Sequence, residues 1–570
     1  MYRRAGRLRS PRVATRGVPT HFLPRPRLKT NVGDRELLSG LPRVAGASRR
    51  GSPSVAAVRT PWWRSAVFYQ VYPRSFSPSG PSPTGDLDGI TAHLDHLSWL
   101  GVDAIWVSPF YPSPQADFGY DVSDFCDVDP TFGDLATFDR LLAGCHDRGL
   151  RLLVDLVPNH TSDQHPWFLA ARSSRDDPRR DWYIWRDGDP ATPPNNWTAA
   201  FTGESAWTWD DATDQWYLHQ FLPAQPDLNW ANPEVVEAMH GVMRFWLDRG
   251  VDGFRIDVVH GIGKDPALPD DPPEAGGLPH ATLNDTPQTH ELIRGLRRLV
   301  DGYPGARLIL GEVFLLTTEQ VARYYGEGDE LHLAFNFPPL FTPWDPGRWR
   351  RQIAETRHQI DERGAWPTWV LSNHDNKRHR TRYGGSEDRA RAAVFLLLGL
   401  RGSPVLFAGE ELGLEDAVVP PDRVVDPGGR DGARAPLPWT ADPDHGWGVT
   451  DPWLPWPPEP DRRNVATLVA DEGSIAHLYR RLLAARRATP ALQLGDHADV
   501  AAPEGVIAWR RWLPGAGGEG ALVAVNMGAE PARLAVTGRV VVASDGRGEG
   551  EAFTGMLGPD RAVLVDPAAA

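Results

Sequence analysis

Eight short runs of near-continuous Val, Ile, Leu and Phe recur over residues 66–411, and helix-patterned stretches lie between them. The runs are 66-AVFYQVYP, 103-DAIWVSP, 151-RLLVDLVPNH, 252-DGFRIDVV, 307-RLILGEV, 331-LHLAFNF, 368-TWVLSNHD and 404-PVLFAGEE. A strand needs apolar side chains on both faces only when both faces are covered, as in a parallel sheet flanked by helices. The intervening segments, such as 134-DLATFDRLLAGCHDRG and 234-EVVEAMHGVMRFWLDRG, carry helical periodicity and finish on a glycine after a basic residue, a C-terminal cap pattern. Eight strand–helix units predict a (β/α)8 TIM barrel rather than an open doubly wound sheet.

The spacing breaks once. About 70 residues separate the end of the third run from the next helix, and they are rich in Trp, Asp, Pro and Asn. An insertion of that length marks a subdomain, expected over 159–230. After residue 490 the texture turns to short alternating runs (505-GVIAWRRW, 520-GALVAVNMG, 532-ARLAVTG, 539-RVVVASD), which predict a C-terminal antiparallel β-sandwich domain over 490–570. The barrel is then expected over 59–158 and 231–489, with a long Pro-rich loop at 436–460. Residues 1–58 are rich in Arg, Pro, Ser and Gly without periodicity. They read as a disordered basic tail, a targeting segment or a translation artefact.

Charge narrows the choice of partner. The first 60 residues hold 14 Lys and Arg against 2 Asp and Glu; the other 510 hold 46 against 72. So acidic a body argues against nucleic acid. No run of about 18 apolar residues exists, so no membrane span is expected. Cys126 and Cys145 make no disulfide framework and are expected reduced, in a cytoplasmic protein. No HExxH, Walker loop or strand-borne GxGxxG occurs, so neither a metal nor a nucleotide cofactor is implied. Trp occurs 23 times; most are read as packing, a few as platforms for sugar rings.

Barrels of this kind place their chemistry at the C-terminal strand ends. Here those ends are polar: Asp155 to Asn159-His160, Arg255-Ile256-Asp257, Gly311-Glu312, and Asn373-His374-Asp375. Arg255 and Asp257, two apart on a strand, share a face, and a guanidinium keeps a neighbouring carboxylate ionised. Glu312 ends an apolar strand, a partly desolvated place that suits a general acid. Asp375 would add negative field. Each residue also has a structural reading: a buried ion pair, a helix N-terminus contact, a helix cap, or a satisfied histidine for His160 and His374. Together, three carboxylates with an Arg and two His at one barrel end suit an oxocarbenium-like transition state.

With 155-DLVPNHTS, 225-QPDLNW, 253-GFRIDVVH, 311-GEV, 371-LSNHD, 402-GSPVLFAGEELG and 430-RDGARAPLPW, the chain resembles the α-amylase superfamily, glycoside hydrolase family thirteen. It is most similar to the oligo-1,6-glucosidase and α-glucosidase branch, over about residues 60–565. The resemblance implies a retaining, exo-acting α-glucosidase on short oligosaccharides. Asp257 would be the nucleophile, Glu312 the acid and base, and Asp375 the carboxylate on the sugar 2-OH and 3-OH. It further implies that Arg255 orients Asp257, that His160 and His374 hold hydroxyls, and that Tyr120 stacks. Asp121 would bind the non-reducing glucose, and Arg434 would pair with it to close the pocket. Val258 matches the position at which the branch carries Val, a lean toward α-1,6 links. The loop 76-FSPSGPSPTGDLDGI lacks the Asp-rich calcium pattern of many relatives, so no metal is expected there. Phe407-Ala408 and Lys377-Arg378 also depart from the common pattern and bear on the leaving-group side. Two other readings share the resemblance: a glucosyl-transferring or isomerising enzyme of the sucrose isomerase or trehalose synthase type, and a non-catalytic, glucosidase-like ancillary protein.

Overall fold

Each of the eight apolar runs contains or overlaps a strand of one parallel sheet. The computed structural model describes residues 60–515 and 520–569, which lie in one compact unit; the tail at 1–58 falls outside the described residues. In chain order the strands are β1 (Phe68–Val71), β2 (Ala104–Val107), β3 (Arg151–Leu156), then β4 (Trp185–Arg186), β5 (Trp207–Asp210) and β6 (Gln215–Leu218) of the insertion. The barrel resumes with β7 (Gly253–Ile256), β8 (Leu308–Gly311), β9 (Leu333–Ala334), β10 (Thr368–Val370) and β11 (Ser403–Phe407). The sheet runs β10-β11-β1-β2-β3-β7-β8-β9. Between β9 and β10 a side chain closes the ring: the Thr368 hydroxyl donates to the Ala334 carbonyl (2.7 Å) and accepts from the Asn336 amide (3.1 Å).

Alternate residues serve two cores, which is why the runs read as continuously apolar. Phe68, Trp106, Leu153, Leu308, Leu310 and Val370 fill the barrel interior. Their neighbours Tyr69, Ile105, Leu152, Phe254 and Ile309 pack outward on the helices. Truncating a fully buried ring such as Phe68 to Ala would cost about 3–5 kcal/mol. The helices start where the sequence provides acceptors. Asp134 caps Leu135–Asp147, and Asn232 caps Pro233–Arg249, which stops at Gly250 in the left-handed conformation (φ 110°). That stop turns the chain into β7, which carries two of the site residues.

The insertion folds as a small antiparallel sheet, β4-β6-β5, around Trp197, Trp207 and Trp216. Backbone bridges His160–Asp227 and Tyr183–Leu228 tie its two ends together. Buried Lys264 reinforces them, donating to Asn159 Oδ1 (2.6 Å) and pairing with Asp227 (3.1 Å).

The C-terminal strands are β12 (Asp496–Asp499), β13 (Val506–Trp512), β14 (Ala521–Asn526), β15 (Ala532–Arg533), β16 (Arg539–Ala543), β17 (Met556–Leu557) and β18 (Arg561–Asp566). Five form an antiparallel sheet, β12-β13-β14-β18-β16; β15 and β17 form a second layer of two strands. The sheet is buried on both faces. Val506, Leu522, Ala524 and Val563 face the domain's own core, while Ile507, Trp509, Val523 and Leu564 pack toward the barrel helix Glu387–Gly399. Trp509 Nε1 and Arg511 Nη1 both donate to the Gly399 carbonyl, at 3.0 and 2.9 Å. No strand or helix forms between residues 408 and 464, which includes the expected Pro-rich loop. Among the described residues no helix is long and apolar enough to cross a membrane.

Candidate active site

Register places four charged side chains at one barrel mouth. Asp155 pairs with Arg255 across β3 and β7, and Ile256 pairs with Gly311 across β7 and β8. The ladder runs one step past the strand ends: the Asp257 amide donates to the Leu156 carbonyl and the Glu312 amide to the Ile256 carbonyl, both at 2.8 Å. Partners in a parallel ladder share a face, so Asp155, Arg255, Asp257 and Glu312 all point inward. One guanidinium holds the three carboxylates. Arg255 Nη1 donates to Asp155 Oδ1 (2.9 Å) and Asp257 Oδ1 (2.6 Å), and Nη2 donates to Glu312 Oε2 (2.5 Å). The Trp106 ring lies 4.9 Å from the guanidinium carbon. The Val258 amide also donates to Glu312 (3.2 Å), and Val258 itself has a positive φ of 39°, a strained conformation for a β-branched residue.

A cavity of about 450 Å³ opens above this cluster. Its polar wall is Asp117, Tyr120, His160, Asp257, Glu312 and Asp375, with Arg430 and Val258; Phe201 and Phe221 of the insertion also line it. Three expected residues, Asp121, Arg434 and His374, do not line it. Asp121 is fully buried and accepts hydrogen bonds from the Ser113 hydroxyl (2.8 Å) and the amides of Ala116 (2.8 Å) and Asp117 (2.9 Å). Both its oxygens bond the loop and it does not line the cavity, so this arrangement gives it a structural place and not the sugar-binding one expected of it. Asp117, four residues earlier, faces the cavity. It pairs with Arg430, not Arg434, and accepts from Gln225 Nε2 (3.0 Å).

Arg434 lies behind the wall. It donates to the His374 carbonyl (2.9 Å) and to Asp375 Oδ1 (3.0 Å), and so fixes Asp375 instead of closing the pocket. Arg430 spans the closed end: it reaches Asp375 (3.0 Å), Asp117 and Asp426, with Phe201 4.5 Å from its guanidinium carbon. His374 lies just behind the cavity wall, its Nε2 3.3 Å from Asp375 Oδ2. Its Nδ1 meets Gln70 Nε2 (2.7 Å) and its Nε2 meets the Tyr120 hydroxyl (2.6 Å); its ring stacks on Tyr120 at 5.3 Å. It supports Tyr120, which in turn donates to Asp155 Oδ2 (3.2 Å). His160 does line the cavity, its Nε2 near the Tyr120 carbonyl (3.2 Å) and Gln225 Nε2 (3.1 Å).

Burial sets the electrostatics. It pushes Asp155 up to about 6 against the opposing pull of Arg255, with Glu312 adding to the rise. Asp257 also lies well above the ordinary carboxylate range: burial, with Glu312 and Asp155 beside it, outweighs Arg255. The expected pull of Arg255 toward the ionised form is present, but burial and the neighbouring carboxylates oppose it. Asp375 behaves oppositely. Burial would raise it, but His374, Arg430 and Arg434 together hold it well below the usual range. Because burial lowers His374 itself, the guanidiniums of Arg430, Arg434 and Arg255 are the charges that act on Asp375. Burial and neighbours thus push Asp375 and Asp257, on facing sides of the cavity, in opposite directions.

Asp117, Arg430, Asp426 and Asp155 escaped the sequence reading. Asp155 sat in a quoted strand end, and its place two residues before a Val-Pro-Asn turn was a usable signal. The Asp117–Arg430 pair was not separable: each segment offers two candidates four residues apart. In the loop before Leu87–Ala92, Asp86 is occupied by the Ser79 amide (2.9 Å) and hydroxyl (2.8 Å) and by the Gly89 amide (2.6 Å) of that helix.

A sequence model described as the α-amylase catalytic domain matches residues 70–495. The probable α-glucosidase of Rhizobium meliloti (strain 1021) is 42% identical over 473 residues, 76% of this chain and 84% of its own length. The oligo-1,6-glucosidase of Parageobacillus thermoglucosidasius is 36% identical, over 75% and 84%. The solved structure of an α-glucosyl transfer enzyme, XgtA, superposes with a TM-score of 0.82 at 40% identity, covering 89% of this chain and 99% of that one.

Proposed function

This chain belongs to the α-amylase family, and on that premise we propose that it is a retaining α-glucosidase that releases terminal glucose from short α-glucosides. One observation carries the reading: Arg255 gathers Asp257 and Glu312 at one end of a cavity whose other end Asp117 and Arg430 close. A blocked end admits one sugar ring, so cleavage is exo. In the proposed cycle Glu312 serves as the acid and base and the Asp257 carboxylate as the nucleophile, with Arg255 bonded to both. Glu312 protonates the leaving oxygen as the Asp257 carboxylate takes the anomeric carbon; water, deprotonated by Glu312, then releases glucose. Asp375, kept ionised by Arg430 and Arg434, binds the ring hydroxyls and favours the positive charge that develops on the sugar. Tyr120 offers its face to the ring, and His160 its edge. Val258, beside Asp257 on the wall, supports α-1,6 acceptance. The reading includes work in the cytoplasm without metal or cofactor.

Proton NMR of the first product tests it: α-glucose is expected, and β-glucose as the first anomer overturns the mechanism. Glu312→Gln should lose turnover by orders of magnitude while staying folded. The likeness to a glucosyl transfer enzyme keeps a second reading in view, with the same intermediate passed to a sugar instead of water. Product analysis on maltose and sucrose separates the two.

A further inference from the structure

Nine large apolar side chains are conspicuously exposed among the described residues, and three of them stand together at the mouth of the catalytic cavity: Phe314 (37% exposed), Leu316 (55%) and Phe341 (56%). Phe314 and Leu316 follow the acid Glu312 directly in the chain and line the cavity with it. The Phe314 ring packs edge-on against Phe337 at 5.0 Å and reaches Phe341 at 6.2 Å. A second groove of about 480 Å³ continues outward from there. It shares Thr282, Phe314, Leu316 and Phe337 with the catalytic cavity, and none of Asp117, Tyr120, His160, Asp375 or Arg430. It therefore leaves from the side of the acid and away from the closed glycone end. Pro338, Phe341 and Pro343 extend its apolar side; Arg348, Arg351, Gln352 and Glu355, from the helix Pro346–Gln359, form its far wall.

The group that departs with Glu312's proton must leave along this track. Short of the charged far wall a sugar there meets only the hydroxyls of Thr282 and Thr342, whereas an apolar chain meets Phe314, Leu316 and Phe341 at once. Exposed apolar surface of this kind, continuous with a catalytic cavity, is what a binding groove presents.

We propose that the Phe314–Leu316–Phe341 groove is a leaving-group site for apolar alcohols, so that the protein cleaves alkyl α-glucosides with long chains in preference to short ones. The inference rests on the α-glucosidase reading. The reaction is unchanged: the bond from the anomeric carbon to the alkoxy oxygen breaks, Glu312 protonates that oxygen, and water completes the glucose.

The test is a series of methyl, butyl and octyl α-glucosides below their micellar concentrations. The leaving oxygen is chemically alike along the series, so only burial of methylenes differs. Each buried methylene is worth roughly fourfold, so kcat/KM should rise by at least about tenfold from methyl to octyl. Phe341→Ser, at a half-exposed position outside the catalytic cavity, should flatten the series and leave the isomaltose-to-methyl ratio in place. If methyl α-glucoside and isomaltose are both inert, the underlying α-glucosidase reading fails. If all three alkyl glucosides react with equal kcat/KM, the groove proposal alone is overturned. A loss on isomaltose equal to that on octyl α-glucoside in Phe341→Ser would overturn it too, by making the face a sugar platform.

Discussion

Replacing Asp117 with Asn separates the two candidate partners for the non-reducing glucose. The change keeps the side chain's size and removes its charge. Asp117 is 3% exposed, faces the cavity, and has two protein partners, Arg430 and Gln225. A hydrogen bond from a sugar hydroxyl to an ionised carboxylate is worth about 1.5–3 kcal/mol, against about 1 for a neutral acceptor. The Asn oxygen still accepts, so the change costs the difference, about 0.5–2 kcal/mol, or roughly 2- to 30-fold in kcat/KM at 1.4 kcal/mol per decade. Arg430 keeps Asp375 and Asp426 as counter-charges, so the variant should fold. Asp121→Asn is the companion. Its side chain accepts from two amides and a hydroxyl, so an NH2 group there faces a donor with no acceptor. That costs about 1–3 kcal/mol of stability. The assay is steady-state hydrolysis of maltose and isomaltose beside a thermal melt for each variant. The expected outcome is a several-fold to about thirtyfold kcat/KM loss with an unchanged Tm for Asp117→Asn, and a lowered Tm for Asp121→Asn with near-normal activity of its folded fraction. An Asp117→Asn enzyme near wild type, with Asp121→Asn the worse catalyst, would refute the assignment.

Arg255→Lys should lower kcat by about three orders of magnitude or more, because an ammonium cannot fork to Asp155, Asp257 and Glu312 together; its pH–rate profile should move because the guanidinium that favours the ionised Asp257 is gone. Val258→Gly should relieve the positive φ, adding on the order of 1 kcal/mol of stability by chemical denaturation, and should shift the isomaltose-to-maltose ratio of kcat/KM down by about tenfold or more. His290 is held up to about 9 by hydrogen bonds to Asp285 and Glu330. A raised histidine stabilises the fold fully below its unfolded value near 6.5 and loses that contribution as pH rises through about 9. Stability should therefore fall across that window, and His290→Gln should flatten the slope in denaturant titrations at several pH values.

The barrel was legible because a strand covered on both faces leaves an unbroken apolar run. The run 331-LHLAFNF shows the limit: only Leu333–Ala334 forms a strand, because past it the Thr368 hydroxyl, not a backbone partner, takes the Asn336 amide. The C-terminal sheet was read as small and alternating, yet Trp509 and Val523 turn inward to the barrel helix, a face that no local pattern predicts. Strand-end carboxylates were visible as costly charges after apolar runs. The glycone end was not, since Asp117 and Asp121, like Arg430 and Arg434, differ only in which way the loop turns them. The ionisation of Asp257 also needed the structure, because Glu312 arrives from another strand 55 positions away.

Trapping the glycosyl–enzyme tests the central claim most directly. A 5-fluoro-α-glucosyl fluoride forms the intermediate quickly and hydrolyses it slowly, and peptide mass mapping then locates the sugar. The account predicts one fluoroglucosyl group on the Asp257 carboxylate, formed far more slowly with isomaltose-type leaving groups in Glu312→Gln. A label on any other side chain, or turnover with retained configuration in Asp257→Ala, would contradict it.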